Sequence, residues 1–361
     1  NYVKKNMKII LVTGSCGLIG SESVEYFSSK FDLILGIDND MRSSFFGKPA
    51  SINWNKKRLI KKYSHYSHYD IDIRDYDNLM QIFKKYNSDI KLIIHAAAQP
   101  SHDWASKNPQ VDFSINANGT LNLLEGLRKY CDMATFIFTS TNKVYGDRPN
   151  SLPFIEKDSR FEVKSTHPYY LNGIDESMSI DQSKHSLFGV SKASADLMVQ
   201  EYGRYYGLNT GVFRGGCLTG PMHSGAELHG FLSYLIYCAL SKRKYFIYGY
   251  KGKQVRDNIH SQDLIKVFDC FYTSPNKGEV YNVGGGRFSN CSIIEVFKLV
   301  DLILNKKILS EYVDENRLGD HQWWISDMEK FKSHYPNWDY EISLNNIIKQ
   351  IGISVDKRLS K

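Results

Sequence analysis

Short apolar runs alternate with longer segments of helical periodicity through the first half of the chain. The apolar runs are Ile9–Thr13, Leu33–Ile37, Leu92–Ala96 and Phe136–Ser140. The periodic segments are Ile19–Ser29, Tyr76–Tyr86, Val111–Tyr130 and Ser191–Tyr206. A run that is apolar throughout indicates a strand buried on both faces. The alternation therefore predicts an α/β fold in which helices cover both faces of a doubly wound parallel sheet.

The pattern changes near residue 215. Gly220-Pro221 breaks the chain, a loop rich in small residues runs to Glu227, and a helix-like stretch covers residues 229–241. The polar segment Gly249–His260 follows, and helical periodicity returns at Ile293–Leu304. We predict a larger domain of residues 1–214 plus about 261–285, and a smaller C-terminal lobe of residues 215–260 and 286–361.

The charge and the cysteines narrow the class of protein. The net charge is +7 over 361 residues, and Lys and Arg are scattered without a long basic run, which argues against nucleic acid and suits a small anionic ligand. Six cysteines occur without a C-x-x-C pair, so neither zinc nor a disulfide framework is expected. The histidines form no metal-binding pair, and we predict no metal.

The sequence shows no signal for export or for membrane insertion. The residues before Ile9 contain no apolar signal-peptide region, and no stretch of about 18 apolar residues occurs in the chain. We therefore predict a cytoplasmic protein with no membrane partner.

A glycine-rich turn directly follows the first apolar run and opens the first periodic segment. It reads Gly14-Ser15-Cys16-Gly17-Leu18-Ile19-Gly20, a pattern that allows a tight turn and close approach of backbone to a pyrophosphate. Asp38 ends the second apolar run, where a carboxylate can accept both hydroxyls of an adenosine ribose. That carboxylate would repel a 2′-phosphate, so NAD is favoured over NADP, although Arg42 nearby leaves NADP open.

The Gly-x-x-Gly-x-x-Gly spacing resembles that of the extended short-chain dehydrogenase/reductase family, the NAD-dependent nucleotide-sugar epimerases and dehydratases. Asp72-Ile73, His95-Ala96-Ala97-Ala98 and Asn116 match further family positions. The resemblance implies an NAD-binding Rossmann domain followed by a nucleotide-sugar-binding lobe. The cofactor-binding residues that it implies are Gly14, Cys16, Gly17, Leu18, Ile19, Gly20, Asp38, Asn39, Asp72, Ile73, Ala96, Ala97, Ala98, Asn116, Thr139 and Lys192.

The resemblance also implies the catalytic positions Thr141, Lys192 and Phe188. Thr141 holds the place of the family's Ser or Thr that hydrogen-bonds the substrate hydroxyl, and Lys192 holds that of the lysine in Tyr-x-x-x-Lys. Phe188 stands where the family has the tyrosine, and phenylalanine has no proton to transfer.

Three explanations of Phe188 remain open. Another group transfers the proton, the candidates being His185, Tyr169, Tyr170 and His102. Alternatively, the phenylalanine was introduced to trap a complex, or the chemistry has been lost.

The segments around these positions resemble those of the family's 2-epimerases, which invert carbon 2 of a CDP-activated deoxyhexose. The 4,6-dehydratases of the family carry Asp-Glu after the threonine, and here those places hold Asn142 and Lys143. Asn142, Cys217, Arg256 and Arg317 are the substrate contacts that the resemblance implies. Cys217 departs from the asparagine that relatives often have.

We therefore expect an NAD-dependent nucleotide-sugar epimerase with a CDP-sugar as the favoured substrate. One alternative is a non-catalytic protein that binds NAD and a nucleotide-sugar. A second is a different nucleotide-sugar epimerase or a 4,6-dehydratase. The resemblance also implies a homodimer or homotetramer.

Overall fold

The computed structural model describes residues 7–227, 229–317 and 319–360. Residues 1–6, with which the predicted larger domain begins, lie outside the described residues, as does Leu318 of the segment around Arg317. Within the described ranges, no helix has both the length and the hydropathy that crossing a lipid bilayer requires.

Fifteen strands are assigned in the described residues. They are β1 (Ile9–Thr13), β2 (Leu33–Ile37), β3 (Tyr66–Tyr69), β4 (Ile90–His95), β5 (Thr135–Thr141), β6 (Phe154–Glu156), β7 (Phe161–Val163), β8 (Asn209–Gly215), β9 (Cys217–Thr219), β10 (Tyr245–Tyr248), β11 (Val255–His260), β12 (Glu279–Val283), β13 (Asn290–Ser292), β14 (Ser310–Val313) and β15 (Trp323–Trp324).

Fourteen α-helices accompany them in the same part of the chain. They are α1 (Leu18–Phe27), α2 (Met41–Phe46), α3 (Asn53–Lys62), α4 (Tyr76–Tyr86), α5 (His102–Lys107), α6 (Pro109–Phe113), α7 (Gly119–Tyr130), α8 (Tyr169–Asn172), α9 (Leu187–Tyr206), α10 (Phe231–Ser241), α11 (Ser261–Thr273), α12 (Ile293–Leu304), α13 (Glu329–His334) and α14 (Leu344–Leu359).

The central sheet has seven strands in the order β12-β8-β5-β4-β1-β2-β3, and all its pairs are parallel. Thr13 at the end of β1 pairs with both Ile37 and His95, so β1, β2 and β4 end at the same edge. From β1 the chain continues to β2 and β3 on one side of β1. It then crosses over to β4, which pairs with β1 on its other side. Ligands bind in the crevice that such a reversal of strand order creates. The predicted doubly wound parallel sheet is confirmed.

Helices cover both faces of this sheet because alternate strand residues point to opposite faces. Ile10 and Val12 belong to one buried cluster, which includes residues of α1 and α11. Ile9 and Leu11 belong to the opposite cluster, with residues of α4, α7 and α9. The apolar residues on both faces of β1 are therefore covered by helices, as the sequence pattern predicted.

The second half of the chain builds a smaller sheet in which β11 pairs with β9, β13 and β15. The polar segment Gly249–His260 contains β11, whose six residues are all buried. Because most of these side chains are polar, the hydropathy pattern did not predict this strand. Residues of α10, α12 and α14 form a separate apolar cluster. The division into two domains stays a prediction.

Two other elements differ from the sequence pattern. The segment predicted as one helix over Val111–Tyr130 is α6, a π-helical turn at Ser114–Asn118, and α7. The helix that carries Lys192 begins at Leu187 rather than Ser191, because the Ser186 side chain accepts a hydrogen bond from the Gly189 N–H and caps it. Phe188 and Lys192 therefore lie one turn apart on α9.

Candidate active site

A cavity of about 420 Å³ opens at the carboxyl ends of the sheet strands, between the sheet and the second half of the chain. Most of the residues predicted for the site line it. On the cofactor side they are Gly14, Gly17, Leu18, Ile19, Gly20, Asp38, Asn39, Asp72, Ile73, Ala96, Ala97, Ala98, Thr139 and Lys192. On the catalytic and substrate side they are Thr141, Phe188, Asn142, Cys217, Arg256 and Arg317. Cys16 and Asn116 do not line it.

The glycine turn packs directly against the backbone that follows β4. Gly14 has a φ of +64°, and a Cβ there would lie 2.8 Å from the Ala97 backbone nitrogen. A Cβ at Gly20 would lie 2.0 Å from the Gly14 carbonyl oxygen. A Cβ at Gly17 would meet only that same oxygen, at 3.3 Å, so this residue leaves the floor of the cavity open. The turn thus presents bare backbone at the amino end of α1, which suits a pyrophosphate.

Asp38 is held in place by the glycine turn. Its carboxylate accepts hydrogen bonds from the backbone N–H of Cys16 at 2.9 Å and of Asp40 at 3.0 Å. Burial raises the pKa of Asp38 to about 6, and the two N–H donors oppose that shift. The Cys16 side chain lies away from the cavity, against Ser15 and Tyr66. Cys16 therefore contacts Asp38 rather than the cavity.

Asn116 lies in the π-helical turn and is buried rather than on a helix surface. Its side chain accepts a hydrogen bond from the Gln99 N–H at 2.9 Å and donates to the Gln99 carbonyl at 3.0 Å. It also donates to Ser191 Oγ at 3.0 Å. Asn116 thus ties the loop after β4 to α9, next to Lys192, and faces away from the cavity.

Described residues between β9 and α10 line the cofactor side of the cavity, a role that the sequence analysis did not assign to this loop: His223, Ser224, His229 and Gly230. Arg42 donates to the Ser224 carbonyl at 2.6 Å, and one of its nitrogens lies 3.2 Å from His229 Nδ1. Trp54 Nε1 donates to Ser224 Oγ at 3.1 Å. The signal in the sequence was the run of small residues directly after a short strand at the sheet edge. The sequence analysis left NADP open because of Arg42, and in the structure this arginine contacts Ser224 and His229.

The side chain of Lys192 extends from α9 to the end of β5 and lines the cavity. Its Nζ donates to the Thr139 carbonyl at 2.8 Å and lies 4.2 Å from the centre of the Phe138 ring. Burial lowers the pKa of Lys192 to about 7, although Asp196 and Asp112 oppose that shift. Thr139 Oγ1 is buried without a hydrogen-bond partner among the described residues. An unpaired hydroxyl of this kind is a contact available to a bound ligand.

Among the four candidates to replace the missing phenol, only His102 lines the cavity. Its ring lies edge-on to Phe188, with ring centres 5.0 Å apart. His185 faces away, because its two ring nitrogens lie 2.7 Å and 3.0 Å from the carbonyl oxygens of Val144 and Ser183. Tyr169 and Tyr170 form part of α8 and do not line the cavity.

Cationic side chains gather at the substrate end. Arg256, on β11, forms an ion pair with Asp320, and Lys143 Nζ donates to the Gly319 carbonyl at 2.9 Å. Arg317 pairs with Asp103 at 3.6 Å. Burial opposes ionisation of Asp320, but the neighbouring cations outweigh burial and lower its pKa. The three cations outnumber the two carboxylates, Asp320 and Asp103, and this excess of positive charge favours a diphosphate.

Burial disfavours the charged forms of Lys143 and Cys217 at this end, but it leaves Lys143 a cation at neutral pH. Burial lowers the pKa of Lys143 to about 8 and raises the pKa of the Cys217 thiol to about 12. Cys217 is thus a neutral, small apolar wall residue. No group of three or more metal-ligating side chains occurs in the described part of the chain.

The comparisons with known proteins agree with this geometry. Residues 10–284 match the family described as the NAD dependent epimerase/dehydratase family. The chain belongs to that family, whose cofactor is NAD, and the open glycine turn and the carboxylate of Asp38 fit that cofactor.

Particular relatives cover nearly all of the chain. It is 30% identical over 349 residues to CDP-paratose 2-epimerase of Salmonella typhi, covering 95% of this chain and 97% of the relative. The structure of UDP-glucuronic acid 4-epimerase from Bacillus cereus, with UDP-glucuronic acid and NAD, is 22% identical with a TM-score of 0.77, covering 97% of this chain and 99% of that one. That of dTDP-glucose 4,6-dehydratase from Bacillus anthracis, with NAD, is 24% identical with a TM-score of 0.75, covering 98% and 97%. The chain has the fold of these enzymes.

Proposed function

We propose that this protein is an NAD-dependent epimerase that inverts carbon 2 of a CDP-activated deoxyhexose, as a CDP-tyvelose 2-epimerase does. The similarity to CDP-paratose 2-epimerase supports carbon 2 and CDP, and the observation that carries the choice of an epimerase is the absence of a dehydrating carboxyl pair among the described residues that line the cavity. The carboxylates among the described lining residues are Asp38, Asp72 and Asp320. Asp38 and Asp72 lie on the cofactor side, and Asp320 is paired with Arg256.

Elimination of water from a hexose needs an acid and a base beside the ring. The two residues after Thr141 are Asn142 and Lys143, and neither supplies a carboxyl group. Lys143 is held by the Gly319 carbonyl and acts as a cation. This favours an epimerase over a 4,6-dehydratase.

Different residues along the cavity bind the cofactor, the diphosphate and the sugar. The glycine turn and Asp38 would hold the NAD, which would supply a reversible hydride acceptor. Arg256, Arg317 and Lys143 bind the diphosphate and fix the sugar beside Thr141, whose hydroxyl orients the reacting oxygen. Lys192 binds at the nicotinamide ribose.

The deoxyhexose preference has its own support. Phe188 and Cys217 give the sugar end of the cavity two apolar walls. A ring carbon that lacks a hydroxyl leaves no polar group unpaired against such walls. A fully hydroxylated sugar would lose hydrogen bonds to water there and bind less tightly.

Two further properties belong to the proposal. All six cysteines are free, which suits a reducing cytoplasm. The outer face of α9 exposes Leu187, Val190 and Leu197, and Phe113 lies on the neighbouring α6. This exposed apolar face suits a homodimer or homotetramer. Light scattering of the purified protein measures the molar mass and so determines the oligomeric state.

The test is a panel of three substrates followed by NMR. The protein is incubated separately with CDP-paratose, UDP-glucose and dTDP-glucose, and the carbon-2 configuration and any keto product are recorded. We expect inversion at carbon 2 of the CDP-sugar alone. A 4-keto product from dTDP-glucose, or inversion at carbon 4 of UDP-glucose, would refute the proposal. Tight NAD binding without turnover of any sugar would favour the non-catalytic binding protein that Phe188 suggests.

A further inference from the structure

Oxidising a sugar hydroxyl to a ketone requires a group that accepts the hydroxyl proton. Phe188 lines the cavity one helical turn before Lys192 and has no such group. The inference that follows rests on the proposed function, and it concerns the residue that carries this proton.

His102 lies against the face where the phenol is missing. It is the first residue of α5, which begins there because Ser101 Oγ accepts a hydrogen bond from the Trp104 N–H. Its imidazole packs edge-on against Phe188 and also lies beside Gly319, where a Cβ would lie 2.7 Å from Nδ1. The glycine therefore makes room for this ring, and the ring position is fixed from two sides.

Ser186 orients the imidazole. His102 Nδ1 lies 2.5 Å from Ser186 Oγ, an oxygen that already accepts the Gly189 N–H. In the tautomer that carries its proton on Nδ1, His102 donates to Ser186, and Nε2 keeps its lone pair. Nε2 has no hydrogen-bond partner among the described residues, and the side chain lines the cavity. The arrangement is that of a base positioned by a third group.

The charges around His102 keep the free imidazole neutral. Burial first, and then Lys143 and Arg317, lower the pKa of His102 to about 3, while Asp320 opposes them. His229 and His321 also interact with it, and each has its own pKa lowered mainly by burial. The two cations are those to which the proposed function assigns the diphosphate. A bound diphosphate neutralises them and thereby increases the basicity of His102 when the sugar is in place.

We propose that His102 Nε2 accepts the proton of the sugar's carbon-2 hydroxyl and returns it, in place of the phenol that Phe188 lacks. The O–H bond breaks, and a new N–H bond forms at Nε2. The O–H electron pair would become the second carbon–oxygen bond as the hydrogen on carbon 2 leaves with its electron pair, for which a bound NAD would supply the acceptor. Once the keto sugar has turned its opposite face to the cofactor, the reverse step restores the hydroxyl and the neutral imidazole.

Lys192 is the competing base, since its pKa lies near 7. Its Nζ, however, donates to the Thr139 carbonyl over the Phe138 ring, which directs a proton toward the backbone. His102 is the neutral group with an unoccupied nitrogen beside Phe188.

The test compares His102→Asn with the wild type on CDP-paratose. We expect kcat to fall at least about 100-fold, the usual contribution of a positioned acid–base group, while KM changes little. When kcat is measured against pH, it should fall at low pH in the wild type because the base becomes protonated. This acid limb of the pH profile should disappear in the variant. Adding Phe188→Tyr to His102→Asn should restore much of the lost kcat, because a phenol returns to the family position. Tyr169→Phe is the matched control, since it removes a phenol outside the cavity, and should leave both constants unchanged.

A second readout does not depend on turnover. In protein labelled at the histidine imidazole carbons, the His102 resonance is assigned from its absence in His102→Asn and followed against pH by NMR. We expect addition of CDP to move the His102 titration to higher pH. An unmoved titration would contradict the link between the diphosphate and the base.

The two proposals fail in different ways. If the wild type does not invert CDP-paratose, the proposed function and the role of His102 fall together. If the wild type inverts the sugar and His102→Asn keeps its kcat and acid limb, the role of His102 alone is overturned. The same holds if the acid limb disappears in Lys192→Met but persists in His102→Asn, which would assign the proton to Lys192.

Discussion

The close approach of the glycine turn to the end of β4 is testable by comparing two glycines. Gly14 and Gly207 both have a positive φ that favours glycine, +64° and +69° respectively. A Cβ at Gly207 would meet nothing within 4 Å, whereas a Cβ at Gly14 would lie 2.8 Å from the Ala97 nitrogen and 2.9 Å from the Ala96 carbonyl carbon. Substitution by alanine therefore places a side chain at a positive φ at both sites and adds a backbone clash at Gly14 but not at Gly207.

The magnitudes follow from these contacts. The left-handed conformation costs an alanine about 1–2 kcal/mol, so Gly207→Ala should lower the free energy of unfolding by roughly that amount and leave NAD binding unchanged. Overpacking against backbone costs about 1–3 kcal/mol more, so Gly14→Ala should be the less stable variant by that difference. Because the turn must move to relieve the clash, NAD affinity should fall about tenfold or more, equivalent to about 1.4 kcal/mol.

The assay is urea unfolding of both variants without NAD, so that a change in NAD affinity does not alter the measured stability, together with calorimetric titration of NAD. Equal stability losses and equal NAD affinities for the two variants would refute the close packing described here. A loss of NAD affinity in Gly207→Ala would refute the assumption that this control lies outside the cofactor site.

Three further predictions concern single side chains. Asp196→Asn should lower the free energy of unfolding by about 3–5 kcal/mol in thermal melts, because Arg214 pairs with Asp196 at 2.8 Å in a buried site and would keep its charge unpaired; a loss below about 1 kcal/mol would contradict this. The wild type should gain stability relative to Lys192→Met as the pH rises from about 7 toward 10, because burial lowers the pKa of Lys192 to about 7 and the unfolded chain then binds the extra proton; parallel urea-unfolding curves against pH would contradict it. Arg256→Lys should weaken CDP binding about tenfold in calorimetric titration, because an ammonium keeps the charge but loses the two-pronged guanidinium contact; unchanged affinity would place the diphosphate elsewhere.

The sequence predicted the part of the fold in which hydropathy dictates structure. The strands β1, β2, β4 and β5 are apolar on both faces and were assigned from their residues alone. β3 reads Tyr-Ser-His-Tyr and β11 reads Val-Arg-Asp-Asn-Ile-His, so neither carries that pattern. Both are strands because backbone pairing with neighbours decides their conformation.

The cavity shows the same limit. Family spacing predicted the residues at the ends of the strands, which lie where the topology requires. It did not predict that Cys16 turns its side chain inward, nor that Arg42 reaches Ser224 from 182 positions away. Contacts of this kind depend on how loops from distant segments pack together, and no local pattern encodes them.

Inversion of CDP-paratose deuterated at carbon 2 tests the central claim most directly. The product is analysed by NMR for its configuration and its deuterium content. We predict inverted product that keeps its deuterium at carbon 2, because the hydrogen leaves and returns with its electron pair and never becomes a proton that exchanges with water. Inverted product whose deuterium has exchanged with water would mean proton abstraction at carbon 2 and would contradict the account, as would recovery of the sugar unchanged.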